Sequence, residues 1–141
     1  MFATVSVKIS KAPISIDSVV RSVRSIEAGG IVTFVGTVRG ESRGKRITRM
    51  ELEAATDLAK KDLLRIARGA SSKFDTTSIS VVHRIGNLRP GDTIVAISVS
   101  AAHRREAFAA CRHIIDEMKK TTPIWKKEFS GKVGLWAGAE V

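Results

Sequence analysis

Two runs of strand-forming residues, Ile79-Ser80-Val81-Val82-His83-Arg84-Ile85 and Thr93 to Ala101, are joined only by Gly86-Asn87-Leu88-Arg89-Pro90-Gly91-Asp92, a dense set of turn formers. Strands joined by a turn pair antiparallel, so this hairpin argues against a doubly wound sheet, where each connection carries a helix. A second hairpin is suggested upstream. Ile31 to Val35 is β-branched and aromatic, Glu41 to Lys45 is polar with a glycine, and Ile47, Met50, Leu52 and Ala54 suggest a further strand.

Helical spacing separates these pairs. Ile16, Val19, Val20, Val23 and Ile26 define a first helix, with Ser15 or Asp17 to cap it and Gly29-Gly30 to end it. Ala59, Leu63, Ile66, Ala67, Ala70 and Phe74 define a second, capped by Thr56 or Asp57, and Ala107, Phe108, Cys111, Ile114, Ile115 and Met118 a third, ended by Thr121, Thr122 and Pro123. A strand over Val5, Val7 and Ile9 opens the chain, and a short one from Ile124 to Phe129 follows the third helix. The order β-α-β-β-α-β-β-α-β predicts an α+β fold with an antiparallel or mixed sheet and three helices. No repeat or long linker divides the 141 residues, so residues 1–141 are expected to form one domain, of a size that needs no disulfide or metal staple.

Charge is the strongest signal in the composition. Lys and Arg number 24 against 14 Asp and Glu, a formal net charge of +10, which fits an anionic partner or ligand but does not choose among nucleic acid, a phosphorylated metabolite and an acidic protein. No apolar run is long enough for a membrane span, and MFATVSVKIS has no secretory pattern, so a cytoplasmic location is expected. The lone cysteine, Cys111, lies in the apolar stripe of its helix and reads as a small buried hydrophobe, so any sulfur the protein moves must come from elsewhere. Three histidines without HExxH spacing give no reason to expect a metal, and His83, in an apolar strand, reads as a packed histidine.

Basic residues gather at the ends of predicted elements: Arg39 after a strand, His103-Arg104-Arg105 at the start of the third helix, and Lys119 to Lys127 after it. The free N–H groups and positive dipole of a helix start suit a phosphate or carboxylate, although the same residues serve equally as a solvated helix start. The segment from Lys119 to Glu128 sets four lysines around Pro123 and Trp125, like a pocket wall. On a strand, Lys126 and Glu128 share one face while Trp125, Lys127 and Phe129 share the other. Crowding by other cations weakens a lysine's hold on its proton and readies the amine as a base or nucleophile, although most lysines are merely solvated.

Four segments, Gly30 to Arg39, His83-Arg84-Ile85-Gly86, Ser100 to Phe108 and Pro123-Ile124-Trp125-Lys126-Lys127-Glu128, together resemble the catalytic (large) subunits of molybdopterin synthase, in order from about Gly29 to Trp136. The chain departs from that family at Leu52-Glu53-Ala54-Ala55, where tyrosines usually flank a Glu-Ala pair, and after Trp136, where it lacks a basic extension.

The resemblance implies an α/β hammerhead-type fold. It also implies a homodimer of catalytic subunits within a heterotetramer, with a small ubiquitin-like sulfur carrier docked at each end. The carrier's C-terminal thiocarboxylate tail would enter the pocket and give sulfur to cyclic pyranopterin monophosphate, forming the dithiolene of the molybdenum cofactor. No cofactor of the enzyme's own is implied. Position by position, Thr37, Val38 and Arg39, with His103 and Arg104, resemble the pocket for the pterin and its phosphate. Lys119 and Lys126 resemble the catalytic pair, and Lys127 and Glu128 residues that orient the ligand. The rival expectation from charge alone is a basic nucleic-acid-binding module, which would need stacking aromatics, yet aromatic residues make up only 5% of the chain.

Overall fold

A computed structural model of the chain describes residues 3–131 and 133–137. The first half runs β1 (Thr4–Ser10), α1 (Ile16–Val23), β2 (Gly30–Thr37), the short strands β3 (Glu41–Ser42) and β4 (Lys45–Arg46), β5 (Arg49–Ala54) and α2 (Thr56–Phe74). The second runs β6 (Ser78–Arg84), β7 (Gly86–Leu88), β8 (Thr93–Ala101), α3 (Arg104–Thr121), β9 (Ile124–Ser130) and β10 (Val133–Ala137). The departure from the family expected after Trp136 falls largely beyond Ala137, outside the described residues.

The long strands divide between two sheets. The first has the order β1-β6-β8-β2, with β1 parallel to β6 and the other pairs antiparallel. The second, β10-β9-β5-β7, is antiparallel throughout. The mixed α+β class with three helices is therefore as expected, but the hairpin expected between β2 and β5 is not made. β2 pairs with β8, and β5 with β7 and β9. Between them only the small β3–β4 hairpin forms, turning at Arg43 and Gly44, both at positive φ (53° and 76°).

The hairpin expected from residue 79 to 101 is real, since β6 pairs with β8, but its turn does more than reverse the chain. Gly86, at φ +98°, a conformation that a side chain disfavours, turns the chain out of the first sheet, and residues 86–88 join the second as β7. Leu88 ends fully buried.

Strand alternation then sorts the core. Val5, Val7 and Ile9 of β1 pack, with Ile79 and Val81 of β6 and Val95, Ile97 and Val99 of β8, into a cluster with Leu63, Ile66, Cys111 and Ile114 from α2 and α3. Met50, Leu52 and Leu88 of the second sheet belong to the same cluster. The opposite face of β1 and β6, with Ser6, Lys8 and Ser80, looks towards α1.

α1 stops at Val23, earlier than its apolar spacing suggested, because Arg24 is already extended (φ −63°, ψ 137°), and Ile26 is fully exposed. Ser15 caps it as expected, accepting from the N–H of Ser18. Gly29 serves packing instead of ending the helix: a Cβ there would lie 2.3 Å from the Ala102 carbonyl oxygen. Ala55, not Thr56 or Asp57, is the N-cap residue of α2, and no side chain bonds that cap.

Candidate active site

Where β2 runs out, its pairing with β8 slips between Gly36 and Thr37. The turn between β7 and β8 takes hold of the chain there: the Val38 N–H donates to the Asp92 carbonyl (3.0 Å), and the Gly91 N–H donates to the Val38 carbonyl (2.8 Å). Val38 itself is buried. Its main chain being bonded both ways, it anchors the exposed Thr37 and Arg39 on either side.

β9 supplies the facing wall. Lys126 pairs in register with Leu52, and Glu128 with Met50. Register partners project to the same face, so both charged side chains are carried to the buried side of the second sheet. Lys126 lays its methylene stem there and is only 9% exposed. Its Nζ lies 3.7 Å from Glu128 Oε1. Thr37, Arg39, Met50, Ile94, Lys126 and Glu128 line one narrow cleft between the two sheets, with free space of about 20 Å³, room for one water. Two cations against one carboxylate leave the cleft with a positive surplus that favours an anion at its mouth.

Lys127 lies on the reverse face, as alternation required, with its Nζ 5.4 Å from the centre of the Phe129 ring. Lys119 is exposed on the last turn of α3 and is joined to β9 by a short turn at Thr122 and Pro123. His103 is the N-cap of α3, with Arg104 beginning the helix, and both are exposed. A Cβ on Gly30 would come within 3.7 Å of the Arg104 Cα, so this helix start is packed against the start of β2. Arg39 follows the other end of that strand, roughly 24 Å away at about 3.3 Å per residue. The structure thus gathers Thr37, Arg39, Lys126 and Glu128, sets Lys127 behind them, and holds His103 and Arg104 at the far end of the first sheet.

Beside the cleft, and sharing Glu128 with it, runs a groove of about 480 Å³. Ile47, Val133 and Leu135 give it apolar walls, while Arg43, Lys45 and Arg46 of the β3–β4 hairpin add positive charge. The sequence reading missed this groove, because it treated residues 41–45 as a polar connection and did not foresee β10. The alternation of Val133 and Leu135 after Gly131 was the available signal.

The other candidate chemical groups are withdrawn from solvent. His83 is 2% exposed, its Nδ1 lies 2.8 Å from the Arg84 carbonyl oxygen, and burial pushes its pKa down to about 4. Cys111 is 3% exposed, and burial pushes its thiol up to about 11. Both are packed residues, as the sequence indicated. No helix among the described residues is long and apolar enough to cross a membrane.

The chain is similar to known proteins in sequence and in fold. The family model described as "MoaE protein" matches residues 9–121. The chain is 40% identical over 131 residues to molybdopterin synthase catalytic subunit 1 of Mycobacterium tuberculosis, covering 93% of this chain and 89% of the relative. It superposes on the crystal structure of molybdopterin synthase from Staphylococcus aureus with a TM-score of 0.89 at 35% identity, covering 92% of this chain and 95% of that one. In fold alone it is also similar to a chain from the complex of subunits 1 and 2 of the molybdopterin-converting factor of Helicobacter pylori. There the TM-score is 0.77 at 18% identity, with 93% and 89% of the two chains covered.

Proposed function

The chain belongs to the MoaE protein family, whose relatives here are catalytic subunits of molybdopterin synthase, sulfur-transferring enzymes of molybdenum-cofactor biosynthesis, and from that premise we propose how its residues divide the work. The substrates are the C-terminal thiocarboxylate of a small ubiquitin-like carrier and cyclic pyranopterin monophosphate. Both are anions. The observation that carries the proposal is the meeting of Arg39, just beyond β2 of the first sheet, and Lys126, on β9 of the second, in one cleft beside a groove of about 480 Å³.

In this scheme the carrier's tail lies along the groove between the hairpin cations and the apolar side chains of Ile47, Val133 and Leu135, with its carboxyl end at the cleft mouth. Lys126, held by Glu128, neutralises the thiocarboxylate while its sulfur bonds to the pterin, and then the oxyanion that develops when water or the Lys119 amine attacks the acyl carbon. Lys119 moves a proton in that step or is itself the nucleophile, and collapse of the adduct breaks the acyl C–S bond and leaves the sulfur on the pterin. Thr37 and Arg39 hold the pterin and its phosphate, with Glu128 orienting the ligand, whereas Lys127, on the reverse face of β9, is not placed to share that part. The cleft has room for one water only, so the pterin lies across its mouth.

The homodimer has a physical motive in this fold. β2 is an edge strand of the first sheet, eight residues long and without a charged side chain to block pairing. Antiparallel pairing with β2 of a second copy would set that copy's Gly30 end, with His103 and Arg104, beside Thr37 and Arg39, uniting the two halves of the anion site. The relatives give the nucleic-acid alternative no support.

The test is reconstituted turnover with this chain, a thiocarboxylated carrier and cyclic pyranopterin monophosphate, with the dithiolene product trapped. Product that depends on Lys119 and Lys126 supports the scheme. Turnover that survives the loss of both sinks it.

A further inference from the structure

Asp62, on α2, lines neither the cleft nor the groove, yet its carboxylate reaches the turn that carries both expected catalytic lysines. Its Oδ2 accepts from Thr121 Oγ1 (2.8 Å) and Thr122 Oγ1 (2.7 Å), and its Oδ1 from Arg65 Nη2 (2.7 Å). The side chain is 16% exposed. Burial alone would raise its pKa, but the hydrogen bonds from Arg65, Thr122 and Thr121 outweigh it and hold the carboxyl below the usual range.

The turn is tied at several points. The Thr122 N–H donates to the Met118 carbonyl and so closes α3, and the Ile124 N–H donates to the Thr122 carbonyl. The Ala55 N–H, at the start of α2, donates to the Pro123 carbonyl. Lys119 leaves this turn on the helix side and Lys126 on the strand side. Their separation therefore depends on the backbone from residue 121 to residue 124, whose side-chain ties among the described residues run to Asp62 and Arg65 and to the Glu117 carbonyl. Small errors in the placement of reacting groups are costly: a displacement of about 1 Å removes on the order of a hundredfold in rate.

We propose that Asp62 is a positioning residue for sulfur transfer, clamping Thr121 and Thr122 so that Lys119 stays in register with Lys126. The inference rests on the assignment of those two lysines made above. A purely structural tie between α2 and α3 would affect only how much protein is folded. A positioning role affects the rate of each folded molecule.

The experiment measures kcat and KM for the complex with the thiocarboxylated carrier and cyclic pyranopterin monophosphate, well below the melting temperature. The variants are Asp62→Ala, Asp62→Asn and the double variant Thr121→Val/Thr122→Val, which breaks the same two bonds from the other side should Asp62→Ala fail to fold. Asp62→Ala and the double variant are expected to lose about tenfold in kcat, with KM for the pterin changed less than twofold. Asp62→Asn, which keeps an acceptor for the hydroxyls, should recover part of that loss. A lower melting temperature with unchanged kcat, or a raised KM alone, overturns the proposal. Absence of turnover by the unsubstituted chain would sink the proposed function and this inference with it, whereas full turnover by every variant sinks this inference alone.

Discussion

Lys126 and Glu128 project from the same face of β9 with Nζ and Oε1 3.7 Å apart, their side chains only 10% and 14% exposed, whereas Lys119 stands in solvent on the last turn of α3. Equivalent truncations should therefore separate stability from chemistry. Lys126→Ala removes an ion-pair partner of the mostly buried Glu128 carboxylate and is expected to lower stability by about 1–3 kcal/mol as well as abolishing turnover. Lys119→Ala should nearly abolish turnover with the melting temperature unchanged. Urea titrations run beside the product assay check both.

The groove makes a prediction about docking. Reversing charge with Arg43→Glu and Arg46→Glu should weaken carrier binding by about tenfold at low salt, and less at high salt, where exposed charges are screened. Titration calorimetry at two ionic strengths measures this. Saturating carrier should restore kcat, because neither arginine lines the cleft.

His83 predicts a pH window. Its folded-state pKa of about 4 lies below the ordinary 6.5, so the unfolded chain takes up a proton first as pH falls. The resulting stability is fully present above pH 6.5 and is lost as pH drops towards 4, a loss of order 3 kcal/mol. Asp62, whose pKa is lowered from 3.8, acts in the same direction but only at more acid pH. Urea melts at pH 7, 5.5 and 4 should show the His83 slope, and His83→Gln should flatten it.

Cys111 is expected to be silent. With a thiol pushed up to about 11 and 3% exposure, it should resist alkylation at pH 8 until the chain unfolds. Cys111→Ala should keep full turnover at a cost of ~1 kcal/mol in stability. Loss of turnover in a folded Cys111→Ala protein would mean that the chain carries sulfur itself.

The helices and long strands were legible because their apolar spacing is local: Leu63, Ile66 and Ala70 announce α2 whatever it packs on. The division into two sheets was not, since a strand's partner is chosen by distant residues. Nothing within Met50 to Ala54 says that it will pair with β9 rather than β2. β7, only three residues long, hid in the turn-forming segment from Gly86 to Asp92. At the site, the shared face of Lys126 and Glu128 followed from alternation, but the burial of Lys126 did not, because it depends on Leu52 as a register neighbour. Motif similarity joined Arg39 to His103 and Arg104, and only the direction and length of β2 reveal that one chain holds them far apart.

The passage of the chain through β6, β7 and β8 has a mechanical consequence. One short run of backbone belongs first to one sheet, then to the other, then to the first again, and Leu88 is locked in the core at the crossing. The two walls of the cleft therefore have no hinge between them, and they stiffen or come apart together. Substrate must be accommodated by the swing of long side chains at the mouth, Arg39 above all, while the frame that aims them stays still.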